Sequence, residues 1–180
     1  MNNALYFLVD SLLSLYLYVL ILRFVMQLTR ADFRNPVAHA ILVATNPIIM
    51  PLRKILPPVG KVDSASVLAI ILVAAITVGA LELIDGLPPT VLDPITWLVR
   101  TVLFLVRAFI VFFMGAIFIY ALLSWVVPAG YNPAMAVLGT ICEPVLRPFR
   151  RLIPPIGALD LSALWALLAL GVLLRLLHLG

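Results

Sequence analysis

Two arginines and two aspartates stand at matched places in the chain, and they are the residues best suited to polar recognition. Arg53 precedes Asp63 by ten residues, and Arg150 precedes Asp160 by ten. The guanidinium of arginine is a planar fork that binds two oxygens at once. Arg53 and Arg150 therefore read either as basic anchors at lipid headgroups or as fixed cations that grip a partner carboxylate, a lipid phosphate or the opposite loop. Asp63 and Asp160 read first as helix N-caps. The alternative pairs each aspartate with an arginine of its own or the other copy, closing the loop against the helix that follows.

Further charges interrupt apolar stretches, where ionisable groups are expensive and default to a functional hypothesis. Asp10 and Arg23 share the first stretch, but about 20 Å of helix separates them, so they cannot pair. Each lies near an end and is expected to snorkel outward. Arg100 and Arg107 are seven apart, hence on one helix face. With Asp10, Glu82 and Asp85 they form a candidate outer charge cluster.

The chemistry of catalysis is missing. His39 and His178 are isolated, and His39 is expected to be packed. Cys142 is the sole cysteine and has no partners at metal-ligand spacing. No glycine-rich phosphate loop and no nucleophile with an adjacent base occurs. The expectation is no enzyme, no cofactor and no metal.

The elements that must position these residues follow from composition. The chain has 180 residues, 64% hydrophobic and 11% charged. A soluble domain is about half apolar and about a quarter charged, so lipid must solvate much of this one. The alternation of a barrel is absent, which leaves helices. The net charge of +4 and pI of about 9.6 read as topology signals and contacts to anionic lipid headgroups. No basic run is interleaved with aromatics, so nucleic acid is not an expected partner.

Four apolar runs are long enough to cross a bilayer: 4–28, 64–84, 108–127 and 161–177. The first is too long and too acidic for a signal peptide. The third begins near Ile95, and a helix from there to Val127 would extend about 50 Å. Its start, up to Arg107, is therefore placed in or beyond the interface, with Trp97 at headgroup level. Basic residues collect between spans one and two and between spans three and four, while Glu82, Asp85 and Asp93 surround the connection between two and three. Both basic loops are then cytoplasmic and both termini outside.

The loops carry an internal repeat. Residues 35–63 align with 132–160 without a gap, at an offset of 97. Asn35-Pro36 meets Asn132-Pro133, Pro47 meets Pro144, and Pro51 meets Pro148. Arg53 meets Arg150, Pro57-Pro58 meets Pro154-Pro155, Gly60 meets Gly157, and Asp63 meets Asp160. Nine of 29 positions are identical, nearly all at backbone-restricting or charged residues, where chance matches would instead fall on Leu, Val and Ala. The offset also matches Ala65 and Ala69 with Ser162 and Ala166. Small residues four apart allow close approach, so spans two and four are expected to pack together there. The chain is thus two tandem parallel hairpins, 1–94 and 95–180. Asn-Pro starts a helix, and the later prolines disfavour a long one. The loops are expected to be short amphipathic helices in the interface, with a re-entrant excursion as the sharper alternative.

This doubled motif resembles the YggT family of bacterial and plastid membrane proteins, also called the YggT/YlmG group, over most of the chain. The second copy departs by carrying Leu161 before Ser162, where the first has Ser64 directly after its aspartate. The resemblance implies a multi-pass protein of the bacterial inner membrane tied to osmotic stress tolerance and potassium uptake. It also implies roles in division, nucleoid distribution or cytochrome assembly. Such a spread fits a non-enzymatic organising or assembly factor with an unknown membrane protein partner. It also fits an oligomeric ion channel or transport component. Homo-oligomerisation is compatible with either.

Overall fold

The computed structural model describes residues 2–56, 62–86, 93–126, 132–152 and 161–179. Pro57, Pro58, Gly60, Pro154, Pro155, Gly157 and Asp160 of the repeat motif lie outside the described residues. The protein is all-α. Six helices follow one another: α1 (Asn2–Leu28), α2 (Pro36–Ile55), α3 (Ser64–Asp85), α4 (Pro94–Val126), α5 (Pro133–Leu152) and α6 (Ser162–Leu179). Three of them, α1, α3 and α4, are long and apolar enough to span a membrane, and α6 is a shorter apolar helix over Ser162–Leu177.

The chain forms two compact units. The first comprises 1–24 and 43–109, and the second 25–42 and 110–180. Helix α4 belongs to both. In the first unit Thr101 and Ala108 are its buried positions, and in the second Ile110, Ala116 and Ile117 are. The stretch from Ile95 to Arg107 continues without interruption into the span expected at 108–127, because α4 is one helix of 33 residues. No proline follows Pro94 until Pro128 and Gly115 is its sole glycine, so nothing in the segment interrupts helix propagation.

Helices α2 and α5 correct a second expectation. Each is a single helix of 20 residues that runs through both of its internal prolines. Proline removes a backbone donor and crowds the carbonyl four residues earlier. Pro47 and Pro51, and likewise Pro144 and Pro148, are four apart and all exposed. The residues whose carbonyls they deprive are Val43, Pro47, Thr140 and Pro144, of which Val43, Pro47 and Pro144 are exposed. The opposite stripe of α5 (Val137, Ile141, Cys142, Leu146) is buried.

The helix starts follow the sequence. Asn35 Oδ1 accepts the Val37 amide at 2.9 Å, and Asn132 Oδ1 accepts the amides of Ala134 at 2.9 Å and Met135 at 3.1 Å. Asp93 opens α4 in the same way, accepting the Ile95 amide at 3.3 Å and the Thr96 hydroxyl. The Thr96 bond holds the Asp93 carboxyl below its ordinary range.

Helix α1 ends in a Schellman turn. The Ala31 amide reaches the Met26 carbonyl at 2.9 Å and the Arg30 amide the Gln27 carbonyl at 3.2 Å, with Arg30 at φ 55°. A side chain in this left-handed conformation costs about 1–2 kcal/mol. Glycine removes that strain but loses more chain entropy on folding. Arg30→Gly is thus expected to stabilise the protein by about 0.5–1 kcal/mol in denaturant unfolding.

Candidate functional site

The first unit holds a buried polar cluster contributed by α1, α2 and α3. Arg23 of α1 is 3% exposed. Its Nη1 donates to Thr45 Oγ1 at 2.6 Å and to Asn46 Oδ1 at 2.9 Å on α2. Arg23 was expected to snorkel outward and does the reverse. A neighbouring helix offers two oxygen acceptors beside it, so turning inward satisfies the charge better than stretching to an interface.

Next to it, Arg53 grips Asp63. Nη2 stands 2.6 Å from Oδ2, and Nε is 3.3 Å from Oδ1 and 3.2 Å from Oδ2. Asp63 is 0% exposed while the Arg53 side chain is 44% exposed. The Ser66 hydroxyl donates to the same carboxylate at 2.7 Å. Asp63 occupies the N-cap position of α3, but its side chain caps no backbone amide. The expected capping bond is replaced by the ion pair, which leaves α2 clasped to the start of α3. Burial pushes the Asp63 carboxyl up, but hydrogen bonds from Arg53 and Ser66 and the positive charges of Arg53 and Arg23 outweigh it and hold it below 3.8.

A second polar group stands at the other end of α3. Arg100 Nη1 lies 2.9 Å from the buried carboxylate of Glu82, joining α4 to α3. Asp10 is half-buried and accepts the Ser14 hydroxyl at 3.1 Å within α1. Asp85 and Arg107 are exposed. Of the five residues grouped as an outer cluster, Glu82 and Arg100 are in direct contact.

The second unit is built differently. The apolar stripe of α5 seats Cys142 and Leu146 against Ala116 and Ile117 of α4 and Ala163 and Ala166 of α6, with Tyr120, Leu138 and Phe149 around them. Burial pushes the Cys142 thiol up to about 12. Its labelling by maleimide in the native fold is therefore expected to be at least about a thousandfold slower than that of an ordinary cysteine at neutral pH. Labelling at the rate of a free thiol would contradict this packing. Arg150 Nη1 is 2.5 Å from Glu143 Oε2, and Arg147 Nε is 4.0 Å from Glu143 Oε1.

The two Asn-Pro motifs meet in this unit. The side-chain amide of Asn35 donates to the carbonyl of Pro133 at 2.7 Å, across 98 residues of sequence. Asn35→Asp keeps the capping oxygen but loses this donor. It is expected to cost about 1–2 kcal/mol in unfolding measurements, whereas a cap alone would tolerate the change.

The pairing of Arg53 with the aspartate of its own copy is the alternative that the sequence offered, while Arg150 turns to Glu143 and Asp160 lies outside the described residues. Ala65, Ala69, Ser162 and Ala166 are all buried. His39 is exposed rather than packed, because it falls on the outward side of α2. The cluster around Arg23 was missed, although a signal for it exists. At the offset of 97, Arg23 corresponds to Tyr120, Thr45 to Cys142 and Asn46 to Glu143. Three positions that are polar together in the first copy thus include the tyrosine and cysteine of the apolar core in the second.

The family model CCB3/YggT matches residues 2–84 and 99–179. The two starts are 97 residues apart, the offset of the loop motif. An uncharacterized protein of Pseudomonas aeruginosa is 41% identical over 175 residues, covering 96% of this chain and 87% of its own. A Vibrio alginolyticus protein encoded in the proC 3′ region is 40% identical over 162 residues, covering 90% and 86%. The uncharacterized protein YggT of Escherichia coli K12 is 34% identical over 171 residues, covering 95% and 87%. No solved structure matches the chain. With a doubled motif, an all-α fold of long apolar helices and matches along nearly its whole length, the chain belongs to the CCB3/YggT family.

Proposed function

We propose that this chain is a non-enzymatic organising or assembly factor of the bacterial inner membrane. The observation that carries the reading is the two-sided build of α5, whose apolar stripe is seated on α4 and α6 while Pro144, Arg147, Pro148 and Arg151 face away from protein. A helix held in this way lies at the cytoplasmic end of the spans it packs on, with both termini outside. Helix α2 does the same for the first hairpin. Each offers its outward face to a membrane protein partner and to anionic headgroups. The osmotic stress and division phenotypes suggested by the family would follow from losing an assembly built there.

Arg53 acts in this reading as a positioning residue. Its clasp on Asp63 sets the angle at which α2 leaves α3, and its remaining exposed edge is open to a partner. The test is co-purification of cross-linked partners with wild type and with an Arg53→Ala/Arg150→Ala variant. Reduced capture by variant protein that still inserts supports the reading, and undiminished capture removes these two arginines from it.

An oligomeric ion pathway is the competing account. It would need polar groups facing a shared lumen. Thr77 is buried and spends its hydroxyl on the Val73 carbonyl of its own helix at 2.7 Å, and Ser124 bonds the Ala121 carbonyl at 2.6 Å. Cation flux through liposomes carrying the purified protein, above that of empty liposomes, would favour the pathway instead.

A further inference from the structure

The charge of this protein is unevenly placed. Among the described residues, the first unit has five basic side chains (Arg23, Arg53, Lys54, Arg100, Arg107) and five acidic ones (Asp10, Asp63, Glu82, Asp85, Asp93). The second has six arginines, at 30, 34, 147, 150, 151 and 175, against Asp32 and Glu143. Three of the six crowd the last two turns of α5.

The two copies of the repeat differ at one informative place. Met50 on α2 corresponds to Arg147 on α5, and both are outward, at 61% and 66% exposed. Lys54 corresponds to Arg151. Arg147 and Arg151 are four apart, one above the other on the outward face, a like-charge pair that repels in isolation. Glu143 does not resolve it. That carboxylate is committed to Arg150 at 2.5 Å and approaches Arg147 only at 4.0 Å. Pro144 and Pro148 share the same face and carry no donor, so among the described residues the charged donors there are the two guanidinium forks. A tetrahedral phosphate bridging the two forks turns the repulsion into paired charge-assisted hydrogen bonds.

We propose that Arg147 and Arg151 form a binding site for the phosphate of an anionic phospholipid. The inference rests on the reading of α5 as a helix at the membrane surface. Its apolar side is fixed to α4 and α6, so the outward arginines stand beside the ends of apolar helices, at the height of headgroups. A phospholipid there sets its acyl chains along the exposed apolar side of α6 (Leu164, Leu168) while its phosphate sits between the forks. Helix α2, with Met50 in place of the first arginine, lacks the pair and has no equivalent site.

The test is native mass spectrometry of the purified full chain in detergent, titrated with phosphatidylglycerol, phosphatidylcholine or inorganic phosphate. The variants are Arg147→Gln/Arg151→Gln, Arg34→Gln as a control in the same unit, and Lys54→Gln as the control on α2. Phosphatidylglycerol is expected to be retained by wild type and both controls and weakened at least about tenfold in the double variant, with phosphatidylcholine much weaker throughout. Equal retention by the double variant overturns the site. So does inorganic phosphate displacing the lipid completely at comparable concentration, which would make it a site for free anion. A single Arg147→Cys variant in vesicles separates the two claims. If water-soluble maleimide does not reach it, the surface reading itself fails. If it is reached and the double variant still binds lipid equally, only the phosphate site fails.

Discussion

Replacing Arg53 with alanine is expected to lower stability by about 2–4 kcal/mol at neutral pH. Asp63 is fully buried and depends on Arg53 for three of its hydrogen bonds. Removing the cation leaves a buried carboxylate with Ser66 and the more distant charge of Arg23. The half-exposed position of Arg53 keeps the cost below that of a fully enclosed pair. The effect carries a pH signature. The folded-state pKa of Asp63 is depressed, so the stability from this pair is fully present above the ordinary carboxyl value of 3.8 and is lost as pH falls below it. The gap between wild type and Arg53→Ala in denaturant unfolding should therefore be largest near pH 7 and narrow at about pH 3. A gap independent of pH would mean that packing of the arginine stem, and not the ion pair, accounts for the loss.

The second large effect is expected at Arg23. Arg23→Met keeps an apolar stem but removes both bonds to α2, and should cost about 2–3 kcal/mol. Thr45→Val removes one acceptor and should cost about 1–2 kcal/mol. The double variant should fall short of the sum by about 1 kcal/mol or more, since both changes delete the same charge-assisted bond. Strict additivity would contradict the contact between Arg23 and Thr45. The matching exchange in the second copy, Tyr120→Arg, places a charge against the buried thiol of Cys142, and the Glu143 carboxylate at the place of Asn46 is already paired with Arg150. It is expected to be worse tolerated than Arg23→Met.

The repeat was legible because it is written in prolines, asparagines and arginines, residues whose backbone or charge behaviour depends little on context. Asn35 and Asn132 cap as their type requires, and the long apolar runs are helices. Continuity was harder to read. Pro47, Pro51, Pro144 and Pro148 disfavour a long helix by their type, yet all four are exposed and the helix runs through them. The length of α4 was visible in the uninterrupted apolar run that begins near Ile95. The destination of Arg23 was not readable from its own position in α1, because it depends on acceptors 22 and 23 residues away on another helix. Asp63 was readable in part: before an apolar run it looks like a cap, with the arginine ten residues earlier as the alternative partner, and the approach of Arg53 decides between the two.

The central claim is that the outward face of α2 and that of α5 each hold a partner protein. Site-specific photo-crosslinking of the full chain in its native membrane tests it most directly. The crosslinker is placed one position at a time at the exposed residues Ala40, Val43 and Ala136, and at the fully buried Ile49 and Ile141 as controls. The account predicts protein adducts of discrete mass at the exposed positions on both helices and none at the buried ones. Adducts to lipid alone at every exposed position would contradict it.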